Sequence, residues 1–297
     1  MAADGVPSGL GVGTNSWGAH RVAHPELRPV FDQAISLGLT LFDTAEAYGF
    51  GGSEKTVGYC IQSSGRRPFV ATKFFPFPWR LGRGALLSAL KRSLSRLEIP
   101  FVDLYMVHIP FPPVPVKVWA AALADAVDAG LARGVGVSNF NANQLRETHA
   151  VLSARGIQLA CNEVEYSLVN RTVEKNGMLG LCRELGVTLI AYRPLALGFL
   201  PGKHGRTNPP PGWRGIAFNR LYPARIDPVS EALNRIGANH GQKTAAQVAL
   251  NWVMKKGALP IVGARSVEHI REDAGALGWE LSDDEVLELD AAAEKLD

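Results

Sequence analysis

Short apolar runs alternate with stretches of helical period along most of this chain. Seven runs read as buried strands: Leu39–Asp43, Phe69–Lys73, Val102–His108, Gly134–Ser138, Leu159–Val164, Val187–Tyr192 and Ala258–Val262. Each is short and apolar on consecutive positions, as expected for a strand covered on both faces of a parallel sheet. Between them, apolar residues recur every three or four positions. The sets are Leu27, Val30, Phe31, Ala34 and Ile35; Leu87, Leu90, Leu94 and Leu97; Trp119, Leu123 and Val127; and Met178, Leu181, Cys182 and Leu185. That spacing places each set on one helical face. Capping pairs at Asn141 with Gln144, Thr244 with Gln247 and Ser282 with Glu285 mark helix starts, and the last opens a C-terminal helix.

Strands and helices in alternation predict an α/β protein, specifically a (β/α)8 TIM barrel forming one domain over residues 1–297. Seven strands are visible. The eighth lies in the Arg21–Ala23 region, in a degraded run, or nowhere. The competing doubly wound sheet lacks its G-x-G-x-x-G after the first strand. The rhythm breaks at His204 to Pro228, which contains Pro209, Pro210 and Pro211 and reads as a long loop after the seventh strand. Loops of that length are commonly lids or binding segments.

Composition narrows the function classes. Lys plus Arg total 31 against 28 Asp plus Glu, a formal charge of +3 with no clustered block, so neither nucleic acid nor a membrane surface is expected as partner. No run reaches the ~20 apolar residues of a membrane span. Three cysteines without paired spacing argue against a disulfide framework and a zinc site, and no metal is expected. The opening MAADGVPSGL has no signal or transit character, which predicts a cytoplasmic protein, or a plastid one if a transit peptide has been removed. No interface pattern stands out, so a monomer is the default.

In a barrel, polar residues at the C-terminal strand ends face the mouth where active sites sit. Asp43, Lys73 and His108 end three successive runs, and Tyr48 follows Asp43. Each alone has a structural explanation, as cap, surface lysine, packing tyrosine or core histidine. Together they suggest proton transfer: Asp43 holds Lys73 charged, and the ammonium lowers the Tyr48 pKa from about 10 toward neutrality.

The blocks LFDTAEAYG (41–49), VATKF (70–74), DLYMVH (103–108), GVSNF (136–140), LIAYRPLALGFLPGK (189–203) and IVGARSVEHIRED (261–273) resemble, in order, the signature blocks of the aldo-keto reductases. The wording of KFFPFPWRLGR (73–83), VALNWV (248–253) and AGALGWELSDDE (274–285) is most similar to the plant and algal branch, many of whose members are plastid proteins. The resemblance implies a barrel that binds NADPH (or NADP+) without a Rossmann fold. It further implies hydride transfer to the carbonyl of an aldehyde or ketone, with Asp43, Tyr48, Lys73 and His108 as the catalytic tetrad. Tyr48 would act as general acid and His108 would orient the carbonyl.

The same resemblance assigns a cofactor site. Gly13, Thr14 and Asp43 lie on its near side; Ser138, Asn139 and Glu163 meet the carboxamide; Tyr192 stacks on the ring. Arg193, Leu195, Ala196, Gly198, Leu200, Gly202 and Lys203 follow the pyrophosphate. Val262, Gly263, Ala264, Arg265 and His269 lead into a helix N-terminus suited to a 2′-phosphate, with Glu272 and Asp273 near the adenine, so NADPH is expected over NADH. Three positions depart from the family pattern. Glu163 stands where Gln is usual and would accept from the amide without donating, Arg193 replaces a serine, and Ile261, Val262 and Gly263 replace IPG.

Asn15, Trp17, Phe50, Trp79 and Ile109 are candidate walls of the substrate pocket, although Trp17 and Trp79 fit the core equally well. An aromatic mouth favours aromatic or medium-chain aldehydes over sugars. Two other readings remain: a cofactor-sensing regulatory subunit resembling the potassium-channel β-subunits, and an aldolase with Lys73 as Schiff-base nucleophile, which an adjacent Asp43 opposes.

Overall fold

Eight parallel strands close into a barrel in strict sequence order, β1-β2-β3-β4-β5-β6-β7-β8, with β1 returning to pair β8. The structure is a computed structural model and describes residues 5–18, 24–198, 200 and 227–294. The strands are β1 (Gly11–Gly13), β2 (Leu41–Asp43), β3 (Phe69–Phe74), β4 (Val102–Val107), β5 (Ala132–Ser138), β6 (Leu159–Glu165), β7 (Thr188–Tyr192) and β8 (Leu259–Gly263). Among the described residues the helices are α1 (Arg28–Ser36), α2 (Gly52–Ser64), α3 (Arg83–Leu97), α4 (Val116–Asp128), α5 (Ala142–Ser153), α6 (Thr172–Lys175), α7 (Met178–Leu185), α8 (Asp227–Asn239), α9 (Ala245–Lys255), α10 (Val267–Ala274) and α11 (Asp283–Glu294). None of them is long and apolar enough to cross a membrane.

The eighth strand is therefore Gly11–Gly13, ahead of all the others, and not Arg21–Ala23, which lies outside the described residues. Most of the His204–Pro228 stretch lies outside them too. Its last two residues, Asp227 and Pro228, already belong to α8, where a proline in the first turn costs no hydrogen bond.

Strand periodicity sorts the side chains into two apolar clusters. One set, including Phe42, Val70, Phe74, Tyr105, Val107, Val135 and Val137, packs against the helices. The other, with Leu41, Ala71, Leu104, Met106, Cys161, Ile190, Leu259 and Ile261, forms a separate inner cluster. Space inside is tight. A Cβ on Gly136 would lie 2.4 Å from Cys161 Sγ, so only glycine fits there. Continuing the inner parity toward the C-terminal strand ends, the apolar residues give way to Asp43, Lys73, Ser138, Glu163 and Tyr192. The fold thus gathers these five polar residues at the mouth.

The expected caps form. Asn141 and Thr244 each make reciprocal bonds with the glutamine three residues on, and Ser282 does so with Glu285. Each is worth about 1 kcal/mol. The last helix, α11, is pinned at Asp290, whose carboxylate accepts from Trp252 Nε1 at 3.0 Å and Lys256 Nζ at 2.9 Å.

Candidate active site

Lys73 is 0% exposed, and a buried ammonium persists only with partners. It has them at both sides: Nζ donates to Oδ1 and Oδ2 of Asp43 at 2.5 Å each, lies 3.3 Å from Glu163 Oε2, and is 3.3 Å from Tyr48 Oη. Burial opposes the charge, but the neighbouring acids, Asp43 ahead of Glu163, hold the Lys73 ammonium well above its ordinary value. A Schiff-base nucleophile needs a free amine, so this environment argues against the aldolase reading.

The position of Asp43 is fixed from below. Thr14 is fully buried and donates its hydroxyl to the Asp43 carbonyl at 2.8 Å, while Ser53 at the start of α2 bonds the Thr14 carbonyl at 2.8 Å. Thr14, one of the expected cofactor residues, thereby braces the strand end. Tyr48 opens a tight turn, Tyr48–Gly51, that packs against the chain at Gly18. Gly49 has φ +56°, and a Cβ there would sit 1.3 Å from the Gly18 carbonyl oxygen, so this turn requires glycine.

The sequence predicted an acidified Tyr48. The structure reverses the sign: burial is the largest effect and pushes the phenol up. Lys73 pulls it back, and the charges of Asp43 and Glu163 push it further up. The hydroxyl thus keeps its proton at neutral pH, as a proton donor must. His108 meets Tyr48 edge-on with ring centroids 5.6 Å apart. Burial first, and Lys73 second, lower its pKa to about 3, so the imidazole is neutral and can donate from one ring nitrogen.

Glu163 departs further from expectation. It is 3% exposed and stands in register with Ser138, and burial and the neighbouring Asp43 push its carboxyl up to about 8, with Lys73 opposing. A protonated Glu163 donates as well as accepts, which corrects the acceptor-only expectation. Its Oε2 and His108 Nδ1 are buried without a hydrogen-bond partner among the described residues.

The remaining mouth residues form a connected rim. Asn139 adopts φ +61°, its amide nitrogen donates to the His108 carbonyl at 3.2 Å and to Ser138 Oγ at 3.0 Å, and its oxygen accepts from Tyr192 Oη at 3.0 Å. Arg193 (φ +53°), Ala196 (+49°) and Leu197 (+60°) follow Tyr192 in the left-handed region, a concentration of strained non-glycine backbone of the kind found at ligand sites. Arg193 is half-exposed, near Glu165 at 3.5 Å, and points its guanidinium over the Tyr192 ring. Ala196 and Leu200 are buried and Leu195 and Gly198 partly so; Gly202 and Lys203 lie outside the described residues.

Beyond β8, Val262 and Ala264 are buried, Gly263, Arg265 and His269 are exposed, and Ser266 caps α10 by accepting from His269 N at 3.3 Å. Glu272 is partly covered, and Asp273, expected like it near the adenine, is buried on α10.

On the substrate side, Trp17 is a core residue. It is 0% exposed and its Nε1 donates to the Ala264 carbonyl at 2.7 Å. Asn15 is exposed, Ile109 is partly buried, and Phe50 and Trp79 are 72% and 73% exposed. The sequence reading missed Phe75 and Phe77. From His108 an aromatic ladder runs outward: Phe75 at 5.6 Å, Phe77 a further 4.6 Å, then Trp79 stacked at 4.7 Å with 7° between planes. The alternation of Phe75, Phe77 and Trp79 was a readable signal. Arg80 holds the ladder, lying over Phe74 and Phe77 while pairing with Glu46, which also accepts from Phe75 N at 2.8 Å.

The model of the aldo/keto reductase family matches residues 9–294 of this chain. The chain is 37% identical to the chloroplastic pyridoxal reductase of Arabidopsis thaliana, over 97% of this chain and 84% of that protein. It is similar to an aldo/keto reductase of Klebsiella pneumoniae solved in complex with NADP and acetate (29% identity, TM-score 0.76, 95% of this chain and 90% of the other). A second solved relative is a thermostable aldo-keto reductase in complex with the inhibitor epalrestat (33% identity, TM-score 0.78, 97% and 95%).

Proposed function

Because the chain belongs to the aldo/keto reductase family, it is an oxidoreductase, and we propose that it uses NADPH to reduce the carbonyl of a flat aromatic aldehyde to an alcohol. The observation that carries this reading is the convergence of a protonated phenol, a clamped ammonium and a neutral imidazole at one barrel mouth. The solved relative with NADP supports the cofactor, and the pyridoxal reductase supports an aromatic aldehyde. The residues here also fit a nicotinamide. Two buried polar atoms, Glu163 Oε2 and His108 Nδ1, make no hydrogen bond among the described residues, and a carboxamide and a carbonyl are groups able to complete such atoms.

The bound cofactor supplies the hydride. The protein supplies the proton and the geometry. His108, uncharged, donates a hydrogen bond that holds the carbonyl oxygen beside Tyr48. Charge growing on that oxygen is met by the Tyr48 hydroxyl, which transfers its proton as the C–O bond becomes single. Lys73 stabilises the phenolate left behind from 3.3 Å, and Asp43 keeps Lys73 charged and pointed at it. Tyr192 and Asn139 hold the far wall, and the Phe75–Phe77–Trp79 ladder offers a flat apolar face for the substrate ring.

The test is a panel of aromatic, aliphatic and sugar aldehydes, with pyridoxal, monitored by loss of NADPH absorbance. Turnover led by aromatic aldehydes is expected, and no turnover of any carbonyl overturns the reading. Arg265, exposed one residue before the Ser266 cap, is proposed to pair with the 2′-phosphate. Arg265→Ala is then expected to weaken NADPH by about 1.5–3 kcal/mol and NADH hardly at all. Equal loss for the two in a fluorescence titration removes that assignment.

A further inference from the structure

The mouth contains two acids and one ammonium. Asp43 grips Lys73 through both oxygens at 2.5 Å, whereas Glu163 approaches the same Nζ at 3.3 Å without hydrogen-bond geometry. All three side chains are at most 4% exposed. With both acids ionised the cluster carries a net negative charge out of water, which is costly. With one proton retained it is neutral. Burial pushes both carboxyls up, so one proton is retained; Asp43, with two contacts to Nζ at 2.5 Å against one at 3.3 Å, keeps the charge, and the proton resides on Glu163.

Charged and titratable groups face Glu163 from every side. Asp43 on β2 and Lys73 on β3 have been described. Tyr48 beyond β2 and Tyr192 on β7 both have phenols pushed up by burial and stay neutral; the next β5 side chain, Ser138, does not titrate. His108, beyond β4, is neutral above about pH 3. Glu165, two residues along β6, lies near Arg193 at 3.5 Å. Glu163, sharing the ammonium with Asp43, is therefore the acid that gains charge as pH rises toward about 8.

Hydride transfer to a carbonyl held at Tyr48 requires the nicotinamide ring within contact distance of that carbonyl carbon, and hence beside this cluster. The ring is uncharged in NADPH and carries a positive charge in NADP+. We propose that Glu163 discriminates between the redox states of the cofactor: neutral at low pH, it leaves the two forms evenly matched, and ionised at high pH, it favours the oxidised, cationic ring. Where a glutamine gives a fixed contact, this glutamate couples product-cofactor release to pH. The inference rests on the NADPH-dependent reading above.

By linkage, NADP+ binding must then release a proton that NADPH binding does not. The test measures the affinity of the intact protein for NADP+ and NADPH by titration calorimetry from pH 6 to pH 9.5, in buffers of differing ionisation enthalpy. The 2′-phosphate is common to both forms, so its own titration cancels in the ratio of affinities. Wild type is expected to shift that ratio toward NADP+ on the order of tenfold across the range, and to release more protons with NADP+ than with NADPH near pH 7. Glu163→Gln is expected to flatten both.

A wild-type ratio that does not move, or equal proton release for the two forms, overturns the proposal with no variant needed. So does a Glu163→Gln protein that keeps the wild-type slope. Binding of both forms with a flat ratio defeats this inference alone, whereas failure to bind either form at any pH defeats the NADPH-dependent function with it.

Discussion

Replacing Tyr48 by Phe is expected to lower kcat for aldehyde reduction by on the order of 10³-fold, with NADPH affinity within about twofold of wild type. The substitution removes one oxygen from a side chain held in place by its ring, which packs edge-on against His108 and beneath the Lys73 ammonium, 5.1 Å from the ring centroid. Shape and packing are retained, and only the proton is lost. The two groups nearest the phenol do not replace it well: Lys73 is committed to Asp43 through both carboxylate oxygens, and His108 is neutral. Rates follow from NADPH absorbance and affinity from fluorescence titration. A kcat within tenfold of wild type means that the proton comes from another group.

The second large effect is on stability. Lys73→Met keeps the length of a fully buried side chain but leaves Asp43 and Glu163 facing each other without a cation. Removing one partner of a buried pair costs about 3–5 kcal/mol, and that loss is expected at pH 8. Its pH dependence has a definite sign. Burial already raises both carboxyls, and loss of the ammonium removes the main influence lowering them. In the unfolded chain these acids release their protons near pH 4. From there up to their raised folded values, the folded variant binds more protons than the unfolded chain, so its stability falls as pH rises and is recovered on acidification. Urea unfolding at pH 5.5 and pH 8 measures this directly. An equal loss at both pH values, or less than about 1 kcal/mol at pH 8, excludes an electrostatic role for Lys73 in holding the layer together.

The parts of this molecule legible in its sequence are those governed by local repetition. Seven strands are bounded within two residues of their observed ends, because each is an apolar run flanked by polar turns. Three helix starts are announced by reciprocal caps. The meeting of Asp43, Lys73, His108 and Tyr48 follows from strand ends alone once a barrel is assumed.

What escaped depends on tertiary surroundings. Gly11–Gly13 has three residues and two glycines, and it is a strand only because Leu41 and Ile261 crowd it from either side. Trp17 and Asp273 have ordinary surface-compatible neighbours in sequence, and only the packing under Ala264 and α10 shows them buried. The charge states at the mouth were misread for the same reason. A neighbouring ammonium is visible in a motif, whereas desolvation is not, and desolvation is the larger influence on both Tyr48 and Glu163.

The pairing of β1 with β8 has a consequence for how the protein is made. On a ribosome the opening strand emerges first and waits for a partner that is among the last segments translated, roughly ten to fifty seconds later at ordinary elongation rates. Until then the nascent sheet has two raw edges and a half-wrapped lining of Leu41, Ala71, Leu104 and Met106 open to water or to a chaperone. Closure thus waits until β8 has been made, and the barrel cannot reach its final stability before that interval has passed.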